Sequence, residues 1–222
     1  MGKNLFIAEK PSVAREFAAA LKLNMNSREG YLEGGEAIVT WCVGHLVTMS
    51  YPEAYDEKYR RWSFDTIPFI PETFRYEVIE SARKQYSIVS GLLNRPDVST
   101  IYVCTDSGRE GEYIYRLVEQ MAQVQGKERK RVWIDSQTEE EILRGIREAK
   151  DLKEYDNLSH AAYLRAKEDY LMGINFSRAL TLKYGRTLRD YLKRDKAVIS
   201  VGRVMTCVLG MIVNREREIR SF

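Results

Sequence analysis

Residues 99–112 read STIYVCTDSGREGE. The first half is a run of apolar and β-branched residues, the mark of a buried strand. The second half sets Asp106, Glu110 and Glu112 around Arg109 and two glycines. It then opens a helix, REGEYIYRLVEQM, with Ile114, Leu117, Val118 and Met121 at helical spacing on one face. A core strand that ends in acids and turns at once into a helix is the building unit of a parallel sheet. Like charges this close repel unless a cation sits among them. In the sequence alone, Arg109 is the nearest candidate for that cation.

The same pattern occurs at the N-terminus. NLFIAE reads as a short buried strand that ends on Glu9, with Lys10 beside it. Pro11 and Ser12 mark the junction, with Ser12 expected as the N-cap of the helix SVAREFAAALKL. YLEGGEAIVTWCVGHL is expected to be a hairpin turning on Gly34-Gly35. SYPEAYDEKYRRWSFDTIPFIPETF, with three prolines and many aromatics, is expected to be an ordered loop packed over the domain. RYEVIE and RVWI read as further strands, and SARKQYSIVSGLLNR and SQTEEEILRGIREAK as helices. The last of these carries two overlapping capping boxes, Ser136 to Glu139 and Thr138 to Glu141. Strands alternate with helices to about residue 150, which predicts an α/β, Rossmann-like domain with a largely parallel sheet. Beyond it strand signals stop. A long helical stretch follows, with a candidate break at Gly173, then a second helix with Val204, Val208 and Met211 expected inward. The expected division is a catalytic domain over residues 1–150 and an incomplete all-helical segment over 151–222, with few partners to pack on and hence exposed apolar surface.

Composition fits a globular chain: 44% hydrophobic and 30% charged, which argues against global disorder. No apolar run is long enough to span a bilayer, and the N-terminus lacks the apolar stretch of a secretory signal, so a cytoplasmic location is expected. Cys42, Cys104 and Cys207 are far apart, and the first two sit in apolar runs as small buried hydrophobes. The net charge of +3 is mild, but basic residues concentrate from Arg178 to Arg220, as they would on a phosphate-backbone surface or on a solvated helix face.

In an open parallel sheet the carboxyl ends of strands converge on one crevice. Glu9 and Asp106 are therefore expected to be neighbours, although 97 positions separate them. Hard oxygen donors grouped this way suit Mg²⁺, which keeps several waters and takes one or two carboxylates. The competing reading is that Glu110 and Glu112 merely complement a helix dipole. Lys10, at a helix start, suits a phosphate oxygen, or is a surface lysine.

Taken together, LFIAEKPSVARE and TDSGREGE resemble the Toprim domain of type IA DNA topoisomerases, nearest to the topoisomerase III branch. GHLV, IPFIPETF, RVWIDSQTEEEI, YLRAKEDYLMGINFSRALT and SVGRVMTCVLGMIVNREREI resemble successive blocks of that family, and the match runs through nearly the whole chain. The resemblance implies an enzyme that cuts one DNA strand through a 5′-phosphotyrosyl link and reseals it without a nucleotide cofactor. Its implied partner is single-stranded or negatively supercoiled DNA, with no membrane partner and a nucleoid-associated, cytoplasmic setting. On this basis Glu9 acts at the scissile phosphate and contacts Mg²⁺, Lys10 holds the phosphate, and Asp106, Glu110 and Glu112 serve the metal. His45, Arg165, Asp169, Ser177, Arg178 and Ser200, Val201, Gly202, Arg203, Val204 and Met205 match blocks that line the single-strand path.

Three departures stand out. The usual pattern is Asp-x-Asp-x-Glu, and Gly108 occupies the second Asp position. Met205 and Cys207 replace Gln and Pro. None of the 14 tyrosines lies in the family's downstream nucleophile block, so the chain reads as an N-terminal fragment. The alternatives are a Toprim nuclease or primase-like enzyme, a non-catalytic single-stranded DNA-binding module, and a receiver-like domain phosphorylated at Asp106.

Overall fold

The computed structural model describes residues 2–222. It divides into two compact units: Met1–Thr48 with Tyr76–Tyr163, and Met49–Arg75 with Leu164–Phe222.

The first unit is built on a seven-stranded sheet. In chain order its parts are β1 (Lys3–Ala8), α1 (Pro11–Ala20), β2 (Asn26–Arg28), β3 (Tyr31–Glu33), β4 (Ala37–Trp41), β5 (Val47–Met49), β6 (Tyr76–Val78), α2 (Arg83–Leu93), β7 (Val98–Cys104), α3 (Arg109–Ala122), β8 (Glu128–Arg131), α4 (Glu139–Arg147) and β9 (Lys150–Asp151). The sheet order is β2-β3-β4-β1-β7-β8-β9, and β5 and β6 make a separate two-stranded sheet. The central strands β4, β1, β7 and β8 run parallel, with Ile7 opposite both Thr40 and Val103. The outer strands on each side, β2 and β3 at one margin and β9 at the other, are antiparallel to their neighbours. The expected Gly34-Gly35 hairpin is there, pairing Glu33 with Ile38.

Strand side chains alternate between faces. Phe6 and Ala8 join Val13, Ala14 and Phe17 of α1 and Ile142 of α4 in one core. Burying a side chain the size of Phe17, fully inside, contributes about 1.5–3 kcal/mol. Leu5 and Ile7, also fully buried, point to the opposite face. After β1 the chain builds β4 on one side and returns to place β7 on the other, so β1 is the switch point where strand order reverses.

Local starts differ from the sequence reading in two places. Helix α1 begins at Pro11, with Lys10 at the N-cap and Ser12 inside the first turn. Pro at the first helical position needs no backbone donor and pre-sets φ, which moves the boundary two residues earlier. Of the two capping boxes only Thr138 caps, accepting the Glu141 N–H at 3.4 Å. The Glu141 carboxylate instead accepts the Asp135 N–H at 3.3 Å.

In the second unit, Met49–Arg75 forms three short 3₁₀ turns and belongs with the C-terminal helices, a different assignment from the loop over the catalytic domain that the sequence suggested. Asn175 fastens it: its side-chain carbonyl accepts the Phe69 N–H at 2.6 Å, and its amide donates to the Phe69 carbonyl at 2.9 Å. Phe69 also meets Tyr55, Tyr59 and Tyr170 edge-on. Helix α5 (Asp156–Leu192) runs without a break through Gly173. One interior glycine costs about 1 kcal/mol, which a 37-residue helix with packed neighbours absorbs. Helix α6 (Arg203–Ser221) has no buried residue, and Val204, Val208 and Met211 are exposed, against the inward placement expected of them. Its apolar periodicity specifies a packing face, but among the described residues nothing covers it. No helix of the described residues is long and apolar enough to cross a membrane.

Candidate acidic active site and nucleic-acid surface

β1 ends at Ala8 and β7 at Cys104, paired directly to each other. The next residues, Glu9 and Thr105–Asp106, therefore leave the sheet side by side. The Asp106 N–H donates to Glu9 Oε2 at 3.2 Å. Glu9 is only 7% exposed. Burial, then the nearby Asp106 charge, raises its carboxyl above the ordinary range; the Asp106 N–H and Lys10 act the other way, and Glu110 adds to the rise. Asp106 and Lys10 are exposed, so both side chains are free to meet a ligand from solvent. A cavity of about 320 Å³ opens at this end of the sheet, lined by Thr105, Asp106, Ser107, Asp135 and Ser136 among others. The Cys42–His45 segment hangs on the end of β1, with the Cys42 N–H on the Ala8 carbonyl and the Gly44 N–H on the Glu9 carbonyl. This delivers His45 Nε2 to 2.6 Å from Glu110 Oε1.

The two glycines of TDSGREGE do different work. A Cβ on Gly111 would stand 2.2 Å from the Asp106 carbonyl oxygen and 2.7 Å from its nitrogen, so only glycine lets the helix start press against the acidic turn. The Thr105 hydroxyl seals this approach by donating to the Gly111 carbonyl at 2.8 Å. At Gly108, the N-cap of α3, a Cβ would meet nothing within 4 Å, and φ is an extended 174°. The position is open to any side chain, the family's aspartate included.

Glu112 stands apart from the other acids. It is fully buried, with Oε2 accepting from Arg131 Nε at 3.0 Å and Oε1 from Arg116 Nε at 2.8 Å. The cation inside the acidic stretch is thus not Arg109, which is exposed, but Arg131, fully buried at the end of β8. The sequence reading passed over Arg131 as one residue of a strand. Its signal was a charged residue heading the apolar run RVWI, which was expected to be the strand; the strand is instead Glu128–Arg131, and Val132–Ile134 lie beyond its end. Asp106 and Glu110 lie close enough to Glu9 to raise its carboxyl, while Glu112 lies outside this neighbourhood, on Arg131 and Arg116. Among the described residues no group of three or more His, Cys, Asp or Glu is placed to hold a metal ion. The Glu9–Asp106 pair suits a cation that keeps most of its waters and takes one or two carboxylates.

In the second unit, Arg203 opens α6 and reaches back to α5, with Nη2 2.7 Å from Asp169 Oδ2 and Nη1 3.5 Å from Glu168 Oε2. The Ser177 hydroxyl accepts the Val201 N–H at 2.8 Å, and Thr181 accepts the Ile199 N–H at 2.9 Å, which lays Ile199–Gly202 along α5. Arg165, Asp169, Val201, Gly202, Arg203 and Val204 line a cavity of about 370 Å³. Ser200 and Met205 are exposed. Arg178 is placed differently: it is 4% exposed, stacked over Trp62 at 5.2 Å and 3.9 Å from Glu53, and burial lowers its pKa.

A Toprim-domain family model matches residues 4–136. The chain belongs to the Toprim family. A DNA topoisomerase family model matches residues 153–222. DNA topoisomerase 3 of Bacillus subtilis (strain 168) is 42% identical over all 222 residues of the chain, and DNA topoisomerase 3 of Bacillus licheniformis is 42% identical over the same span. The chain covers 29% of the length of each. The acids at the ends of β1 and β7 lie inside the first matched region, and the Arg203 cluster lies inside the second.

Proposed function

We propose that the chain carries the acid-bearing part of a type IA, topoisomerase III-like active site that cuts and reseals one DNA strand. The observation that carries this reading is the Glu9–Asp106 juxtaposition: two carboxyl residues 97 positions apart, joined by a hydrogen bond at the switch point of the sheet. Glu9, with its raised carboxyl, holds a proton more readily than an ordinary glutamate and is suited to deliver it to the leaving 3′-oxygen. Lys10 contacts the scissile phosphate from the start of α1. Asp106 and Glu9, with Glu110 assisting, would hold Mg²⁺. When bound, the cation supplies charge neutralisation and a template for the 3′-hydroxyl and phosphate in resealing. Glu112 is not assigned as a ligand, because its two oxygens are engaged by the buried guanidinium of Arg131 and the half-buried one of Arg116.

Tyr113 has its ring centroid 6.0 Å from that of His45, close to the acidic turn, but it is 7% exposed and burial raises its phenol. That is the opposite of what a nucleophile needs, so no tyrosine of this chain is assigned the attack. Single-stranded DNA is the proposed partner. Arg203, Arg165 and the start of α6 bind its phosphates, with Ser177 holding the Val201 backbone beside them. Such a partner puts the protein at the nucleoid. Arg178 supports this surface from beneath.

The test is an end-labelled single-stranded oligonucleotide with Mg²⁺, stopped with detergent and resolved with and without protease. Intact DNA, retarded on a native gel, is expected. A protein-linked product would assign the nucleophile to a tyrosine of this chain. Free cleaved product would replace the reading with a Toprim nuclease. Retardation by the wild type that Asp106→Asn leaves unchanged is expected too, since binding belongs to the basic surface.

A further inference from the structure

Asp106 is gripped at both ends of its peptide. Its N–H is held by Glu9 Oε2 at 3.2 Å and its carbonyl by Arg131 Nη2 at 2.7 Å. Arg131 makes three further backbone contacts through Nη1, to the carbonyls of Val103 at 3.1 Å, Thr105 at 2.7 Å and Val132 at 3.0 Å. Its Nε is given to Glu112 at 3.0 Å, and its guanidinium lies over Trp133 at 5.2 Å. One fully buried arginine therefore spans the last turn of β7, the acidic loop and the first turn of α3. A buried guanidinium would be costly without a counter-ion. Glu112 supplies it, and is itself balanced by Arg116, which also binds the Leu152 carbonyl at 2.8 Å and Asp156 at 2.9 Å.

This is more than a stability device, because of where the contacts fall. A core ion pair needs only its partner. Here four of the five guanidinium hydrogen bonds go to backbone carbonyls, two of them on Thr105 and Asp106. With N–H and C=O both tied, the direction in which Asp106 projects its side chain is set before any ligand arrives. We propose that Arg131 is a positioning residue of the acidic site, clamping the Thr105–Asp106 backbone so that the Asp106 and Glu9 carboxylates face one cation, and that Glu112 is the counter-ion of this clamp. The inference rests on the metal-site reading above, and goes beyond it in assigning Arg131 and reassigning Glu112.

Removing Arg131 alone leaves Glu112 buried on Arg116 only and takes the donor from four backbone carbonyls, so Arg131→Ala would unfold the site. The informative variant is the pair Arg131→Met with Glu112→Leu, which removes both charges and keeps volume. Arg131→Lys is the second variant: it retains charge but replaces a five-donor fork by a three-donor point that cannot serve this spread of acceptors. Two readouts are taken on the 222-residue protein. The first is Mg²⁺ alone, titrated calorimetrically. The second is amide hydrogen exchange of residues 105–108 without metal. The clamp predicts a double variant that still folds, with a melting temperature lowered because the Thr105, Asp106 and Val132 carbonyls lose their donor, Mg²⁺ affinity lower by about 10-fold or more, and exchange in 105–108 faster by about 10-fold or more while the β1 and β4 amides are unchanged. Arg131→Lys falls between. Wild-type affinity in a folded variant, with or without faster exchange, overturns the proposal, because a purely structural role would leave the metal site intact. If the wild type itself takes up no Mg²⁺, the metal reading fails on its own, and loop exchange alone decides the clamp: unchanged exchange overturns it.

Discussion

Gly111→Ala is the sharpest test of the acidic turn. The added methyl would lie 2.2 Å from the Asp106 carbonyl oxygen and 2.9 Å from its carbon, where van der Waals contact needs well over 3 Å. The obstacle is backbone, so no side chain can swing aside. Either α3 retreats by about 1 Å or the Asp106 peptide turns, and the second choice breaks its bonds to Arg131 and Glu9. Overpacking of a rigid site costs about 1–3 kcal/mol. Loss of one buried hydrogen bond adds about 1 kcal/mol. The sum, about 2–4 kcal/mol, lowers the melting temperature by roughly 4–16 °C for a chain of this size. Gly108→Ala is the matched control, because its Cβ meets nothing within 4 Å. It is expected to shift the midpoint by no more than about 0.5 kcal/mol, the preference of an N-cap for glycine over alanine. Thermal and urea unfolding of both variants, followed by circular dichroism, decide the matter. Equal stability of Gly111→Ala and Gly108→Ala would refute the close approach, and with it the argument for why this helix begins where it does.

Gly108→Asp is expected to fold as well as wild type or slightly better, since Asp is a good N-cap, and to bind Mg²⁺ more tightly by calorimetric titration; unaltered affinity would mean that the open position does not face the cation. Glu9→Gln tests the raised carboxyl. A carboxyl raised in the folded state destabilises the fold as pH rises through its native pKa, so the variant melts higher than wild type near neutral pH, and the gain closes below about pH 4, where both proteins are uncharged at this position. For the basic surface, Arg203→Ala should weaken single-stranded DNA binding and make the salt slope of log Kobs shallower by about 0.7 for each phosphate no longer neutralised. Arg178→Ala should lower the melting temperature while leaving that slope unchanged, because its guanidinium is buried over Trp62.

Much of the fold was legible because the signals are local. Buried parallel strands announce themselves as apolar runs, and STIYVCT and NLFIAE both end where charge begins. The convergence of Glu9 and Asp106 followed from a topological rule, the meeting of strand carboxyl ends at a switch point. Gly34-Gly35 marked its hairpin by turn chemistry alone. By contrast, local preference misleads at Gly173 and along the apolar stripe of α6. A long helix outweighs one glycine, and periodicity names a face without saying what covers it. Local signals also place residues 49–75 on the wrong body, because only the pairing of Phe69 with Asn175, 106 positions away, shows where they pack.

By itself the sequence determined the alternation of strands and helices, the two acidic strand ends and the family, each encoded in residue type and short spacing. Only the tertiary structure decided which charge answers which. Glu110 and Glu112 sit two residues apart on one helix turn, yet one is exposed beside His45 and the other is fully buried between two arginines. A helix turns about 100° per residue, so positions two apart point to nearly opposite sides. What each then meets, solvent or a guanidinium brought in by another strand, is fixed by packing and not by the octapeptide that carries them both.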